Sequence, residues 1–126
     1  MKLLKYLIPF VLVMAFVSIY ATQKNATQLR HVVCFKFKAD ATETQINASI
    51  SAFEGLQNDI PEIMAFEWGL NNSPEGFDKD MTHIFQLTFK NESDRDTYLP
   101  HPAHKAFGDT HGGIIEDLVV VDYNVE

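Results

Sequence analysis

The chain has a single cysteine and few basic residues, and each shortage excludes a class of protein. Cys34 alone cannot form a disulfide within the chain, so a domain of this size must be stabilised by packing or by association with another chain. Lysine and arginine total 10 against 17 aspartates and glutamates, which gives a net charge of −7. An acidic surface repels phosphate backbones, and we therefore predict no nucleic-acid partner.

The sequence also lacks the motifs of several common catalytic sites. It contains no Gly-x-Ser-x-Gly element around a nucleophilic serine and no glycine-rich loop that would hold phosphate groups. Cys34 is expected to point to the opposite side of its strand from His31, which argues against a cysteine–histidine nucleophile. No cofactor is predicted.

The first 21 residues have the pattern of a secretory signal peptide. Lys2 and Lys5 precede a mainly apolar run over residues 6–19, and Ala21 suits the position before a cleavage site. The alternative is an uncleaved membrane anchor. Pro9 interrupts the apolar run, and its length of about 15 residues falls short of the ~20 that span a bilayer.

Cleavage after Ala21 would remove two lysines and no acids, which leaves 8 basic and 17 acidic residues and a charge of −9. We predict an exported protein, periplasmic or secreted, that makes no stable membrane insertion once the signal is removed. Residues 22–28 would then form a flexible linker to one domain over residues 29–126.

The hydrophobic pattern of residues 29–126 predicts the element order β-α-β-β-α-β. Strict alternation predicts strands over residues 30–38, 64–69 and 82–89, and a β-branched run predicts a last strand over 114–125. The first helix is expected to start from a cap at Asp40 and to end near Asn58. A second helical region opens at Ser93, and Pro100 and Pro102 divide it into two short helices with a bend at residues 99–101.

This element order predicts an α+β, ferredoxin-like domain with a four-stranded antiparallel sheet. In our interpretation the first and third strands lie side by side and run parallel at its centre. The helices cover one face, and the other face carries Val32, Cys34, Ile84 and the valines at 119–121. Because such a face is too apolar for water, we predict that a second copy packs there to form a homodimer.

Two predicted strands begin with a histidine that is followed by apolar residues at offsets two, four and six. His31 opens the first of these strands and His83 opens the second. If the strands are neighbours, both histidines should lie together at one end of an apolar cavity and bring polar groups into it. The alternative is that each is a core histidine bonded to backbone or water.

The proline bend carries a second candidate site, formed by Tyr98 and His104. A phenol and an imidazole that approach one atom from different directions can hold a carbonyl oxygen and remove a proton beside it. The bend would let the end of one helix and the first turn of the next converge in this way, and the helix dipole there favours a neutral imidazole. The alternative is that Tyr98 packs while His101 and His104 cap the bend.

The histidines of the same segment are also candidate metal ligands. His101 and His104 could be joined by His111 or Asp109, but the chain has no Glu-x-x-His motif and no Cys/His cluster. We therefore predict no metal. The predicted ligand-binding residues are His31, His83, His101, Phe35, Trp68, Phe85 and Phe107.

Four motifs together resemble the stress-responsive A/B barrel family, whose members are dimeric α+β barrels. They are His31-Val-Val-Cys-Phe, Trp68-Gly69, Thr82-His83-Ile-Phe, and Tyr98-Leu-Pro-His101-Pro-Ala-His104. The match runs through nearly all of residues 29–126 in the family's order. This resemblance implies a homodimer formed through the sheets, in agreement with the apolar open face.

The resemblance also implies a function for the bend. In plant polyketide cyclases of this family, a tyrosine and a histidine close a ring by intramolecular aldol condensation, and Tyr98 and His104 match that pair. His31 and His83 match histidines of the cyclase pocket. The sequence therefore predicts a barrel that binds a small apolar or carbonyl compound, with acid–base activity like that of a cyclase.

Two alternatives stay open at this point. The first is a non-catalytic stress or assembly protein whose histidines are structural. The second is degradation of reactive or aromatic compounds, as in the monooxygenases among the wider set of dimeric α+β barrels. The plant cyclase substrate is not transferred, since a signal peptide would separate this chain from a cytosolic pathway.

Overall fold

A computed structural model of the chain describes residues 27–126. The predicted signal peptide over residues 1–21 and most of the predicted linker lie outside the described residues, so export stays a prediction. Within residues 27–126, no helix is both long enough and apolar enough to cross a membrane.

Residues 27–126 form four strands and three α-helices in the predicted order. They are β1 (Leu29–Phe37), α1 (Glu43–Asp59), β2 (Ala65–Leu70), β3 (His83–Phe89), α2 (Glu92–Tyr98), α3 (Pro102–His111) and β4 (Ile115–Asn124). One 3₁₀ turn, Gly112–Ile114, links α3 to β4. The α+β class is confirmed, and the prolines divide the second helical region into α2 and α3.

The four strands form one sheet in the order β2-β3-β1-β4, with antiparallel pairing between all neighbours. The prediction that β1 and β3 are adjacent is correct, but the prediction that they run parallel is wrong. The crossover through α1 returns the chain to the direction of β1, so β2 runs the same way as β1. The loop between β2 and β3 then reverses the chain, and β3 must run against β1.

The first helix is capped by Thr42, and the prediction of a cap at Asp40 is wrong. The Thr42 hydroxyl accepts a hydrogen bond from the backbone N–H of Gln45 at 3.2 Å, and the Gln45 side chain accepts one from the Thr42 N–H at 2.9 Å. This reciprocal pair satisfies two N–H groups that the helix itself leaves unbonded. Asp40 lies two residues before the N-cap position, because the helix starts at Glu43 and Thr42 precedes it.

An aromatic core lies between the helices and one face of the sheet. The Phe53 ring of α1 stacks on Phe35 of β1 at 5.7 Å and on Phe107 of α3 at 4.8 Å, and it meets Phe85 of β3 at 4.9 Å between ring centroids. All four side chains are buried. Rings at these distances and angles attract one another beyond the area that they bury. This cluster fixes both α1 and α3 over the sheet.

The edge strand β4 is exposed on both of its faces. Val119 and Val121 lie on the open face, opposite Cys34 and Val32 of β1. Leu118 and Val120 lie on the helix-facing side, yet they are 50% and 44% exposed. The prediction placed all three valines on the open face, but alternation along a strand turns Val120 to the other side.

The capping pair gives a test of the local structure. We expect Thr42→Ala to lower the free energy of unfolding by about 1 kcal/mol, because α1 loses an N-cap acceptor. Denaturant unfolding followed by circular dichroism measures this change. Asp40→Ala and Thr44→Ala, which change exposed neighbours outside the cap, should stay within about 0.5 kcal/mol of the unsubstituted chain. An equal loss with Asp40→Ala would restore the sequence-based assignment.

Candidate functional site

The bend between α2 and α3 brings Tyr98 and His104 together. Tyr98 is the last residue of α2, and His104 lies in the first turn of α3. The chain turns because Pro102 occupies the start of α3 while the His101 N–H donates to the Tyr98 carbonyl at 3.0 Å. The Tyr98 and His104 ring centroids are 4.3 Å apart. A phenol and an imidazole therefore share one small volume.

A backbone hydrogen bond orients the imidazole of His104. Its Nδ1 lies 2.9 Å from the carbonyl oxygen of Leu99. A carbonyl oxygen can only accept, so in the neutral ring Nδ1 carries the proton and Nε2 carries the lone pair. The bend thus holds His104 in the tautomer in which Nε2 can act as a base.

The Tyr98 hydroxyl is buried without a hydrogen bond. The side chain is 0% exposed, and the hydroxyl has no partner among residues 27–126. Burial raises the pKa of Tyr98, and the negative charge of Asp122 raises it further. The phenol therefore keeps its proton well above neutral pH and can only serve as a hydrogen-bond donor or acceptor, not as a phenolate. Such an unpaired buried hydroxyl costs about 1–3 kcal/mol of stability.

His31 joins this group from β1, and Asp122 of β4 orients it. The His31 ring meets the Tyr98 ring edge-on at 5.6 Å. Its Nδ1 lies 2.8 Å from Asp122 Oδ1, and Asp122 Oδ2 lies 3.7 Å from an Arg95 nitrogen. Because the carboxylate accepts, Nδ1 of His31 is the donor and Nε2 faces away from the pair. Tyr98, His104, His31 and Asp122 together form the bend cluster.

Asp122 was not among the predicted site residues. The only signal was an acidic residue directly after the valines at 119–121. Its importance follows from strand register, since Asp122 pairs with His31 across 91 residues of chain. No local pattern in a single sequence gives that register.

The remaining predicted ligand-binding residues lie elsewhere. His101 caps α3, where its Nδ1 accepts a hydrogen bond from the Ala103 N–H at 3.1 Å. Phe35, Phe85 and Phe107 are buried in the aromatic core described above. The structure therefore places these four in helix capping and packing.

The two strand histidines do not meet, contrary to prediction. His31 pairs with Leu87 and His83 pairs with Phe35, because β1 and β3 run in opposite directions. The histidines consequently lie at opposite ends of the same sheet face. His83 instead stacks on Trp68 at 6.2 Å.

Metal binding finds no support at the bend. Among residues 27–126, no three His, Cys, Asp or Glu side chains come together in a way that could hold a metal ion. His111, one of the residues weighed as a ligand, stacks on Phe107 at 5.2 Å.

The described domain matches a known protein family. A model of the stress-responsive A/B barrel domain matches residues 29–125. The chain belongs to this family. Olivetolic acid cyclase from Cannabis sativa is 32% identical over 95 residues, which is 75% of this chain and 94% of the cyclase. Stress-response A/B barrel domain-containing protein HS1 from Arabidopsis thaliana is 33% identical over 95 residues, 75% of this chain and 87% of HS1.

Solved A/B barrel and ferredoxin-like structures superpose on the described residues. An Arabidopsis thaliana protein gives a TM-score of 0.74 at 32% identity, over 78% of this chain and 95% of that one. Hydroxynitrile lyase from Passiflora edulis gives 0.71 at 27% identity, over 79% and 94%. A dimeric Bacteroides fragilis protein of ferredoxin-like fold gives 0.62 at 27% identity, over 78% and 96%. These likenesses confirm the ferredoxin-like fold.

The unpaired phenol gives a direct test of the bend cluster. We expect Tyr98→Phe to raise the free energy of unfolding by about 1 kcal/mol, since it removes a buried hydroxyl without a partner and leaves the ring in place. Urea unfolding measures the change. Thr44→Val, which removes an exposed hydroxyl on α1, should change the free energy of unfolding by no more than about 0.5 kcal/mol. A loss of stability with Tyr98→Phe would show that the hydroxyl has a structural partner.

Proposed function

We propose that this A/B barrel protein binds a small carbonyl compound at the bend cluster and moves a proton beside the carbonyl. The observation that carries the proposal is the Tyr98 hydroxyl, which is buried and unpartnered within residues 27–126 and belongs to a ring whose centroid lies 4.3 Å from that of His104. A folded chain keeps a group that lowers its stability where that group has another task.

Each side chain has a definite part in this reaction. The Tyr98 hydroxyl donates to the carbonyl oxygen, and Nε2 of His104 takes a proton from the adjacent carbon. The electron pair of the broken C–H bond becomes the C=C bond of an enol or enolate, and the charge gathers on the oxygen that Tyr98 holds. A positioned base contributes roughly 10²–10⁴-fold and a positioned donor roughly 10²–10³-fold.

His31 is suited to assist on the other side of Tyr98. Asp122 accepts from Nδ1 at 2.8 Å and fixes the ring, which leaves Nε2 for the ligand. Asp122 is a positioning residue in this scheme because it acts through His31.

A ligand must reach the bend cluster either past the bend at residues 99–101 or past β4. Tyr98 is fully buried, whereas His104 is half-buried. On the helix-facing side of β4, the exposed Leu118 and Val120 share a face with Asp122. These two apolar side chains would accommodate the apolar part of a ligand whose carbonyl reaches Tyr98 after a local shift of residues 99–101.

The names of two relatives support this chemistry. One relative at 32% identity is a cyclase, and one at 27% identity is a hydroxynitrile lyase. Both act on small molecules. The fold therefore supports small-molecule catalysis in two proteins that are 32% and 27% identical to this chain.

A second candidate function is a non-catalytic stress protein. Two observations favour it: Tyr98 is 0% exposed, and both His101 and His104 bond to backbone at the bend. The relative HS1, at 33% identity, is named as a stress-response protein.

Proton exchange separates the two candidates without a known substrate. A panel of 1,3-diketones and methyl ketones is incubated with the protein in D₂O, and exchange at the carbon next to the carbonyl is followed by NMR. We expect at least one compound to exchange faster than in buffer. His104→Gln should lower that rate about 10²–10⁴-fold and Tyr98→Phe about 10²–10³-fold.

His111→Gln is the matched control, since it removes a histidine from the same helix outside the bend cluster, and it should leave the rate unchanged. Equal exchange by the unsubstituted chain, His104→Gln and Tyr98→Phe would eliminate the enzyme and favour the stress protein.

We also propose a homodimer formed through the open sheet face. Val119, Val121 and Tyr123 are exposed on that face of β4, beside the partly buried Val32 and Cys34 of β1. Exposed apolar patches of this kind mark interaction surfaces. The Bacteroides fragilis relative at 27% identity is dimeric.

The dimer is tested by placing a charge in the face. We expect Val121→Lys to shift the protein from dimer to monomer in sedimentation velocity, since it would bury an unpaired charge in an apolar interface. Ala106→Lys, at an exposed position on α3, adds the same single charge elsewhere and should stay dimeric. A monomer in the unsubstituted chain at all concentrations would refute the proposal.

A further inference from the structure

A second group of aromatic side chains lies at the far end of the helix-facing sheet surface. It consists of Phe37, Trp68 and His83, which we call the aromatic shelf. His83 pairs with Phe35, four residues along β1 from His31. At roughly 3.4 Å per residue, the shelf lies about 14 Å along the strand from the bend cluster. The two groups are therefore separate sites.

The shelf offers a partly open ring surface. The Trp68 and His83 rings are nearly parallel, with centroids 6.2 Å apart and an interplanar angle of 18°. Phe37 meets His83 edge-on at 4.9 Å and holds it from the other side. Trp68 is 42% exposed on the edge strand β2. A planar ligand can therefore lie against the indole without displacing a core side chain.

A chain of hydrogen bonds determines which ring nitrogen of His83 carries the proton. The Thr82 hydroxyl lies 3.3 Å from the Phe35 carbonyl oxygen and 2.8 Å from His83 Nδ1. Both bonds form only if the hydroxyl gives its single proton to the carbonyl, which can only accept, and takes one from Nδ1–H. Burial lowers the pKa of His83 and favours the neutral ring. Nε2 is then a hydrogen-bond acceptor.

We infer that the aromatic shelf binds a small planar phenol, whose ring lies against Trp68 and whose hydroxyl donates to Nε2 of His83. An acceptor nitrogen beside an exposed indole selects a ligand that has both an aromatic face and an O–H donor. The matching methyl ether has the same face and lacks the donor. This inference does not rest on the proposed function, since none of the bend-cluster residues contributes to it.

The chain contains one tryptophan, so indole fluorescence reports on the shelf alone. The purified full-length protein is titrated with p-cresol and, separately, with 4-methylanisole, with excitation at the red edge of the indole band where both absorb little. We expect p-cresol to bind about 5–10-fold more tightly, the equivalent of one neutral hydrogen bond. Equal affinities, or no change in fluorescence with either compound, would overturn the inference.

Two variants locate the donor contact. His83→Phe keeps a stacked ring without the acceptor nitrogen, and the two compounds should then bind within about twofold of each other. Thr82→Val frees the imidazole to change tautomer and should reduce the preference for p-cresol even if His83→Phe does not fold. Thr88→Val, the same change at the other end of β3, should keep the full preference. A preference that survives both His83→Phe and Thr82→Val would also refute the site.

Discussion

The antiparallel pairing of β1 with β3 determines which side chains can act together. Because the two strands run in opposite directions, His31 is brought to Tyr98 and Asp122 at one end of the sheet while His83 is carried to Trp68 at the other. Parallel strands would have placed both histidines at one end in a single polar cavity. The same face of one sheet thus carries two groups of different chemistry, one with acid–base partners and one with exposed rings.

Backbone carbonyls set the chemistry of both groups. The Leu99 carbonyl fixes the tautomer of His104, and the Phe35 carbonyl acts through Thr82 on His83. A carbonyl has no proton to give, so each determines where the proton of its histidine resides. The ability of Nε2 in these two histidines to accept a proton or a hydrogen bond therefore depends on the path of the main chain, at a bend for His104 and at a strand end for His83.

Local patterns predicted much of this fold. Alternation in β1 and β3, the proline pair at 100 and 102, and the valines of β4 are short-range features, and each gave an element in its correct place. The proximity of Tyr98 to His104 was also predicted, because both belong to the seven-residue segment 98–104 that contains the proline bend. Strand direction and the pairing of Asp122 with His31 depend on distant contacts. A single sequence carries no direct signal for such contacts, and these were the predictions that failed or were missing.

The bond between His31 and Asp122 joins residues that are 91 positions apart. Bringing together residues so far apart in the chain costs more loop-closure entropy than forming the local contacts of a helix. The imidazole therefore gains its carboxylate only when the C-terminal strand has docked on β1. A chain that ended before β4 would keep Tyr98, His104 and the proline bend, yet it would leave His31 without its partner. The chemistry of the bend is in this sense coupled to completion of the whole polypeptide.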